Sequence, residues 1–318
     1  MREYLDFEKP LAELEGKIEE LRHLSDPQGM NIAEEVTHLS DKAERLLHTI
    51  YAKLTPWQKT LVARHPERPK ALAYIEGLIT EFAPLGGDRA FAEDAAIVGG
   101  LGRFRGRSVL VLGTEKGTDT ETRIEHNFGM ARPEGYRKTR RLIELAGRFG
   151  LPVLTFVDTA GAFPGIEAEA RGQAEAIARA IEASLAAPVP FVATIIGEGF
   201  SGGAIPLTAA DRVLMLEHAV YSVISPEGCA SILWRDSASA PSAAEAMKLT
   251  AEDLLRLSLI DAIIPEPVGG AHRNPAAMIA AVGQAIAAEL APLLTLSPAE
   301  LKARRHEKML KMTTEVGA

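Results

Sequence analysis

Apolar positions in the first part of the chain recur at helical spacing. Steps of three or four residues place side chains on one face of a helix, and two such runs occur before residue 55. The first comprises Leu11, Leu14, Ile18, Leu21 and Leu24, and the second comprises Ile32, Val36, Leu39, Leu46, Leu47 and Tyr51. A third helix can begin at Pro56. No constellation of catalytic side chains accompanies these runs, so residues 1–66 are predicted to form a helical arm that packs or binds a partner.

The hydrophobic pattern changes from about Ala90 onward. Short β-branched runs, each flanked by glycines or by helical patterns, predict buried strands at Ser108–Gly113, Val153–Asp158, Phe191–Ile196 and Arg212–Leu216. Predicted helices separate the first three strands, at about Gly135–Gly150 and Glu167–Ala187, and a last helix is predicted at Pro275–Leu293, followed by a charged tail. Strand–helix alternation predicts an α/β domain with a largely parallel sheet, which we assign to residues 67–318.

Composition narrows the function classes. The net charge of −8 argues against a dedicated nucleic-acid site or an anionic-membrane binder, because both require a basic face. Cys229 is the single cysteine, which excludes a disulfide framework and a cysteine-based zinc site. Uninterrupted apolar stretches stay below the ~18 residues of a membrane span, and acids occupy the start where a signal peptide needs an apolar run. The expected location is the cytoplasm.

The segment Gly197–Ala204 follows a predicted strand and matches two short motifs. Gly197, Gly199 and Gly202 fit the dinucleotide-binding pattern G-x-G-x-x-G, with Glu217 near the position of a ribose-binding acid. Only the nine residues from Gly203 to Asp211 separate this loop from the next strand, whereas a dinucleotide crossover needs about 10–12. The dinucleotide interpretation is therefore disfavoured.

The same segment contains Gly199-x-Ser201-x-Gly203, the pattern of a hydrolase nucleophile elbow. Asp261 and His272 follow in the order of a Ser-Asp-His triad, although chain order does not establish geometry. A structural alternative is that Ser201 caps a short helix beginning there.

A third interpretation concerns the backbone. Glycines leave their amides unobstructed, and a strand-to-helix turn directs amides outward at a helix N-terminus, where negative charge is favoured. Amides directed at a developing oxyanion supply a large share of catalysis without a titrating side chain. A tight turn that needs glycine only for packing remains the structural alternative.

Longer motifs favour the third interpretation. Five segments occur in the order typical of one family: Asn127–Lys138, Val157–Gly165, Gly197–Ala204, Tyr221–Trp234 and Ile264–Pro275. Together they closely resemble the α subunit of bacterial acetyl-coenzyme A carboxylase carboxyltransferases, over essentially the whole chain. The chain departs from that family at Ala160, where proline is common, and at Phe200, where glycine is common. Both departures leave the presumed amide donors in place.

The resemblance implies a crotonase-like fold, a spiral of ββα units with oxyanion-holding amides at helix starts. It implies a zinc-bearing β subunit that carries most of the acyl-CoA site, in an α2β2 assembly, with no metal in this chain. A biotin carboxyl carrier protein would present carboxybiotin, a biotin carboxylase would complete the enzyme, and acetyl-CoA would become malonyl-CoA. The biotin is attached to the carrier and not to this chain. A non-catalytic scaffold of the same fold and a serine hydrolase are the alternatives.

By the same resemblance, the amides of Gly202 and Gly203 form the catalytic oxyanion hole. Gly199 and Ser201 are predicted to lie at the substrate.

In the second loop, Gly161 and Gly165 are expected to let a ligand approach the backbone. Asp158 is expected to orient that loop rather than to act as a base. In the local basic segment, Arg132 and Arg137 are the candidates for binding CoA phosphates or the transferred carboxylate, and a solvated, ion-paired helix face is the alternative. His272 and Arg273 could reach a ligand or tie their loop down, and Cys229 is expected to be an apolar filler.

Overall fold

The computed structural model describes residues 3–23 and 30–312, so Leu24 of the predicted first helix lies outside the described residues. The helices are α1 Lys9–His23, α2 Met30–Tyr51, α3 Pro56–Ala63, α4 Ala71–Leu78, α5 Thr120–Glu125, α6 Pro133–Phe149, α7 Ile166–Ala170, α8 Gln173–Ala186, α9 Ser201–Thr208, α10 Pro226–Trp234, α11 Ala240–Met247, α12 Ala251–Arg256, α13 Pro275–Leu293 and α14 Pro298–Lys311. The strands are β1 Ile79–Pro84, β2 Ile97–Phe104, β3 Arg107–Thr114, β4 Val153–Thr159, β5 Phe191–Phe200, β6 Arg212–Leu216, β7 Val220–Ser222 and β8 Ala262–Ile264.

The strands form one mixed sheet in the order β1-β2-β3-β4-β5-β6-β8, with β7 paired to the end of β5. The pairs from β3 through β8 are parallel, which confirms the four predicted strands and their parallel arrangement. Sequence reasoning missed the antiparallel pair β1–β2. Strand β2 contains Gly99, Gly100 and Gly102 because neighbouring atoms occupy the space of their side chains, so its β signal is weak.

The core lies around β4 and β5, in which every residue is buried. Helices α6 and α8 pack against each other, α4 packs against α13, and both pairs contact the sheet. Strands covered on both faces read as continuous apolar runs, which is why these two were recognisable in the sequence.

Helix α13 is long and apolar enough to cross a membrane by length and composition, with a mean hydropathy of 1.6. Its buried residues recur at helical spacing, from Met278 through Val282 and Ile286 to Leu290, and face α4 and the sheet. That pattern is typical of the core helix of a globular domain.

The charged segment predicted after α13 contains helix α14, Pro298–Lys311, which the sequence analysis did not predict. Ser297 caps α14 and forms a reciprocal capping box with Glu300. Arg305 is buried and binds Asp211 with Nε at 2.9 Å and Nη2 at 2.7 Å. The segment is rich in charge, but one of its arginines faces the core.

The predicted arm helices are confirmed as α1 and α2, which pack on each other through Leu11, Ile18 and Ala43. The third helix, α3, is tied to the α/β part, since Lys59 binds Glu252 on α12. The division at residue 66 therefore remains a boundary drawn from the sequence.

A buried polar cluster joins the arm to the rest of the chain. Arg273 Nη1 lies 2.8 Å from Glu15 on α1 and its Nη2 lies 3.4 Å from Glu8. Nearby, the fully buried Arg68 and Glu266 form a two-pronged ion pair. Arg273 thus ties its loop to the arm, which answers the question that the sequence left open.

Three buried histidines in this cluster predict acid sensitivity. The rings of His65 and His272 stack 3.7 Å apart, and His218 lies 5.5 Å from the Tyr51 ring. Burial lowers the pKa of all three, and burial together with the charges of His65 and Arg68 lowers the pKa of His272 to about 3. In the unfolded chain a histidine has a pKa of ~6.5, so below that pH the unfolded chain binds protons that the buried histidines of the folded chain do not bind. The free energy of unfolding therefore decreases as the pH falls.

We therefore expect the free energy of unfolding to decrease between pH 7.5 and pH 5, with His272 alone accounting for about 2 kcal/mol at pH 5. Denaturant titrations at several pH values measure this. The substitution His272→Phe keeps an aromatic ring and should flatten the pH dependence, whereas His48→Asn on the exposed face of α2 should leave it unchanged. Equal slopes for wild type and His272→Phe contradict the assignment.

Candidate active site

The predicted glycine-rich loop is shorter than the sequence suggested. Residues Gly197–Phe200 continue strand β5 and pair in parallel with β7, Glu198 with Val220 and Phe200 with Ser222. The chain then turns at Ser201, whose φ of +57° lies in the left-handed region, and enters α9. The interpretation of the whole segment as a loop was wrong because regular strand pairing extends four residues further than the β-branched run.

The dinucleotide interpretation is also wrong in this geometry. Gly197 and Gly199 are strand residues rather than parts of a phosphate-binding turn. Glu217 accepts a hydrogen bond from the Glu266 amide at 3.0 Å and so serves the neighbouring loop. The eight-residue α9 leads after three residues into β6.

Ser201 is exposed and is the first residue of α9, while Phe200 occupies the N-cap position, so Ser201 does not cap the helix. The strand–turn–helix conformation is that of a nucleophile elbow. Its proposed triad partners are engaged elsewhere, however. Asp261 binds Lys308 and the amide of Val213, and His272 stacks on His65.

Gly202 and Gly203 are the second and third residues of α9, where backbone amides have no partner within the helix. The N-cap side chain, that of Phe200, has no acceptor atom. Among residues 3–23 and 30–312, no side chain accepts a hydrogen bond from either amide. Two donors at the positive end of a helix therefore lack a side-chain acceptor, a position that favours an anion; Gly202 is partly exposed and Gly203 is buried.

Gly203 must be glycine for a packing reason. A Cβ there would lie 2.7 Å from Gly161 Cα and 2.9 Å from the Ala162 nitrogen, so a side chain would push α9 away from the second loop. At Gly202 a Cβ would meet only methyl groups of Ile177, at 3.3 and 3.4 Å. The structure thus brings the predicted Gly161 loop against the predicted donor pair.

Gly161 has a φ of +135°, which favours glycine, and its amide donates to Thr159 Oγ1 at 3.1 Å. Its donor is therefore used within the loop, and its contribution to the site is shape. A Cβ on Gly165 would collide with the Phe163 ring, and one on Gly199 would lie 3.0 Å from Tyr221 Cδ2. Packing accounts for both of these glycines without a ligand.

The two predicted arginines differ. Arg137 is fully engaged: it binds Asp88 at 2.7 Å, Glu134 at 2.9 Å and the carbonyl of Arg171 at 3.1 Å. These contacts favour the alternative of an ion-paired helix face.

Arg132 is the N-cap residue of α6, and its guanidinium lies 5.0 Å from the centre of the Phe163 ring in the second loop. Within the described parts of the chain its side chain has no ion-pair partner. It therefore remains available to bind an anion.

Sequence reasoning missed a buried chain of charges beneath the turn. Lys116 Nζ lies 2.7 Å from Asp158 Oδ1 and 2.6 Å from Glu198 Oε2, and Arg64 binds the other oxygen of Glu198. Burial alone would raise the pKa of Asp158, but Lys116 and Lys70 hold it below its usual value. Polar residues at the ends of buried strands were the available signal, and only Asp158 was singled out.

Asp158 accepts a backbone hydrogen bond, but from the next strand and not from its own loop, which the sequence had predicted it to orient. Asp158 Oδ1 accepts the amide hydrogen of Glu198 at 3.0 Å, and the carboxylate occupies the space that a side chain at Gly197 would need. The site as a whole offers two directed amides, one available arginine and a rigid charged support. The amides can hold a developing oxyanion, and the guanidinium can bind a carboxylate or phosphate.

A family model described as acetyl co-enzyme A carboxylase carboxyltransferase-like matches residues 4–313. The chain is 70% identical over 310 residues to the acetyl-coenzyme A carboxylase carboxyl transferase subunit alpha of Acidiphilium cryptum, covering 98% of each chain. It is 65% identical to the protein of the same name from Gluconacetobacter diazotrophicus, again over 98% of each chain.

Solved structures with the same fold have lower identity. A Pseudomonas malonate decarboxylase hetero-tetramer in complex with coenzyme A matches with a TM-score of 0.60 at 19% identity, covering 74% of this chain and 91% of that chain. Transcarboxylase 12S matches with a TM-score of 0.57 at 18% identity, covering 70% of this chain and 41% of that chain. These neighbours show that the fold is crotonase-like, as the sequence predicted.

Proposed function

The chain belongs to the family of acetyl-coenzyme A carboxylase carboxyl transferase α subunits, and from this premise we propose how its own residues serve the transfer of a carboxyl group from carboxybiotin to acetyl-CoA. It is a carboxyltransferase and acts as one subunit of a multi-subunit enzyme. The observation that carries the residue assignment is the pair of uncapped amides at Gly202 and Gly203.

Carboxybiotin, presented by a separate carrier protein, supplies the carboxyl group and then a basic ureido nitrogen for the methyl proton of acetyl-CoA. The amides of Gly202 and Gly203 donate hydrogen bonds to the ureido oxygen, where negative charge develops during transfer. Fixed amides at a helix start stabilise this charge without reorganising. No titrating side chain of the turn is required, which agrees with a turn made of Ser201 and two glycines.

The surroundings of the turn fit the planar ureido ring of biotin. The contact between Gly203 and Gly161 closes one side of the turn, while Gly202 is partly exposed and Ser201 is exposed. Ser201 is exposed on the open side, where its hydroxyl would be within reach of the ligand. Arg132, held over the Phe163 ring, provides a guanidinium for the transferred carboxylate or a CoA phosphate.

The remaining glycines and the second arginine act indirectly. Gly161 and Gly165 shape the loop that contains Phe163, the residue that Arg132 contacts. Gly199 lacks a side chain and so leaves room for the Tyr221 ring against β5. Arg137 fastens α6 to Asp88 and thereby places Arg132.

We further propose that a zinc-bearing β subunit completes the site in an α2β2 assembly and holds the enolate of acetyl-CoA. Apolar side chains exposed on α9, directly after β7 and on α10 support a protein-covered face: Ile205, Val223, Ile232, Leu233 and Trp234. The biotin carboxyl carrier protein and biotin carboxylase are the other partners, and the cytoplasm is the location, as the acidic composition and single cysteine favour.

Reconstitution tests the proposal. We expect malonyl-CoA from acetyl-CoA and carboxybiotinylated carrier protein only when this chain and the β subunit are both present. A complex that forms but makes no malonyl-CoA would indicate a scaffold. Labelling of Ser201 by a fluorophosphonate, lost in Ser201→Ala, would indicate the hydrolase, which the left-handed conformation of Ser201 alone favours.

A further inference from the structure

Glu198 lies four residues before Gly202 and is buried, although a glutamate is among the costliest residues to bury. Two cations from different parts of the chain compensate its charge. Arg64, just after α3, binds Glu198 Oε1, and Lys116, after β3, binds Oε2 at 2.6 Å. Within the described residues, neither the two cations nor the Glu198 carboxylate forms a hydrogen bond with Gly202 or Gly203.

Strand pairing does not fix the backbone at Glu198 on the β4 side. Val157 pairs with Ile195 and Thr159 pairs with Gly199, so three residues of β5 lie opposite the single residue Asp158. Such a bulge interrupts the ladder and redirects the strand beyond it. The direction in which β5 enters the turn, immediately before the amide donors, is therefore set by this bulge on the β4 side and by the pairing of Glu198 with Val220 of β7 on the other side.

Where the hydrogen-bond ladder between β4 and β5 is interrupted, charged side chains hold the backbone and side chain of Glu198 in place. Asp158 Oδ1 accepts the Glu198 amide hydrogen at 3.0 Å, and Lys116 joins the two carboxylates by a second contact of 2.7 Å to Asp158. Arg64 also binds Glu227, with Nη2 lying 3.2 Å from Oε2, in the first turn of α10. The Glu198 backbone and side chain are thus held from three directions.

We propose that Glu198 is a positioning residue that sets the direction of the Gly202 and Gly203 amides by fixing the bulge of β5 between Arg64 and Lys116. This inference rests on the proposed function, because it concerns the same amide pair. Donors of an oxyanion hole must be held within about 0.5 Å of the productive geometry. An ion network around the buried carboxylates of Asp158 and Glu198, on the strand that carries the donors and on its neighbour, meets that requirement.

The test compares Glu198→Gln with Asp211→Asn in the complex with the β subunit. Asp211 is a matched control because it is also a buried carboxylate paired with an arginine, and it acts at the opposite end of β5, where it accepts the amide hydrogen of Phe191. A glutamine at 198 keeps the shape but presents an NH2 group to one of the two cations. Both variants should lower the melting temperature.

Only Glu198→Gln should lower kcat, by about 10–100-fold, with the KM for acetyl-CoA changed less than about twofold. Hydrogen exchange in a peptide covering residues 201–209 should be faster in Glu198→Gln alone. An unchanged kcat, or an equal loss in both variants, overturns the proposal. If the wild-type complex makes no malonyl-CoA, the exchange comparison still decides the role of Glu198, and only the proposed function fails.

Discussion

Gly202→Pro is expected to lower kcat of the reconstituted enzyme by about 10²–10³-fold, equivalent to about 3–4 kcal/mol of transition-state stabilisation. Proline removes one of the two amide donors and is tolerated in the first turn of a helix. Because the amide bonds to the charge that develops during transfer, the loss should fall on kcat more than on KM. Initial rates of malonyl-CoA formation at saturating acetyl-CoA measure it.

Gly202→Ala is the matched control, because it adds a side chain and keeps the amide. Its Cβ meets only the Ile177 methyl groups at 3.3 and 3.4 Å, so the site should remain intact and kcat should stay within about threefold. Substitutions at Gly203 are less informative, since any side chain there meets the Gly161 backbone. Equal activity of Gly202→Pro and Gly202→Ala, with both bound to the β subunit, would refute the donor role.

The sequence predicted the parts of this fold that local patterns encode. Strands β4 and β5 are buried along their whole length and were visible as apolar runs, and α1 and α2 were visible through their spacing. The end of β5 was misjudged because Gly197 and Gly199 are signals of a turn. In the structure these glycines make room for Asp158 and Tyr221, a requirement set by residues distant in the sequence.

The candidate site was predicted only in part for the same reason. The amide pair follows from a local motif, and the approach of Gly161 to Gly203 follows from the order of the strands. The roles of the charged residues depend on their partners: Arg137 is occupied by Asp88 and Glu134, whereas Arg132 is not occupied. Glu198 is paired with Arg64 from the arm, 134 positions away, which no local pattern reveals.

In the last helix, too, the role of a charged residue could not be predicted from the sequence. Here the expected effect on stability is larger. Helix α14 contains the exposed Arg304 and exposed lysines as well as the buried Arg305, which is 1% exposed. Arg305 donates to the carbonyl oxygens of Ser184 and Ala187 at 2.8 Å each and to that of Val189 at 2.9 Å, besides binding Asp211. The Ser184 carbonyl lies in the last turn of α8 and the other two lie between α8 and β5, so one side chain fastens the last helix to the start of the central strand.

Arg305→Met is therefore expected to destabilise the chain by about 3–5 kcal/mol, because it leaves Asp211 buried with an uncompensated charge and orphans several carbonyls. Arg304→Met, an exposed neighbour on the same helix, should change stability by less than about 0.5 kcal/mol. Denaturant unfolding of both variants measures the difference. Adding Asp211→Asn to Arg305→Met should recover part of the loss, because the unpaired charge is then removed. A loss below about 1 kcal/mol, or no recovery in the double variant, would show that the ion pair does not hold α14 in place.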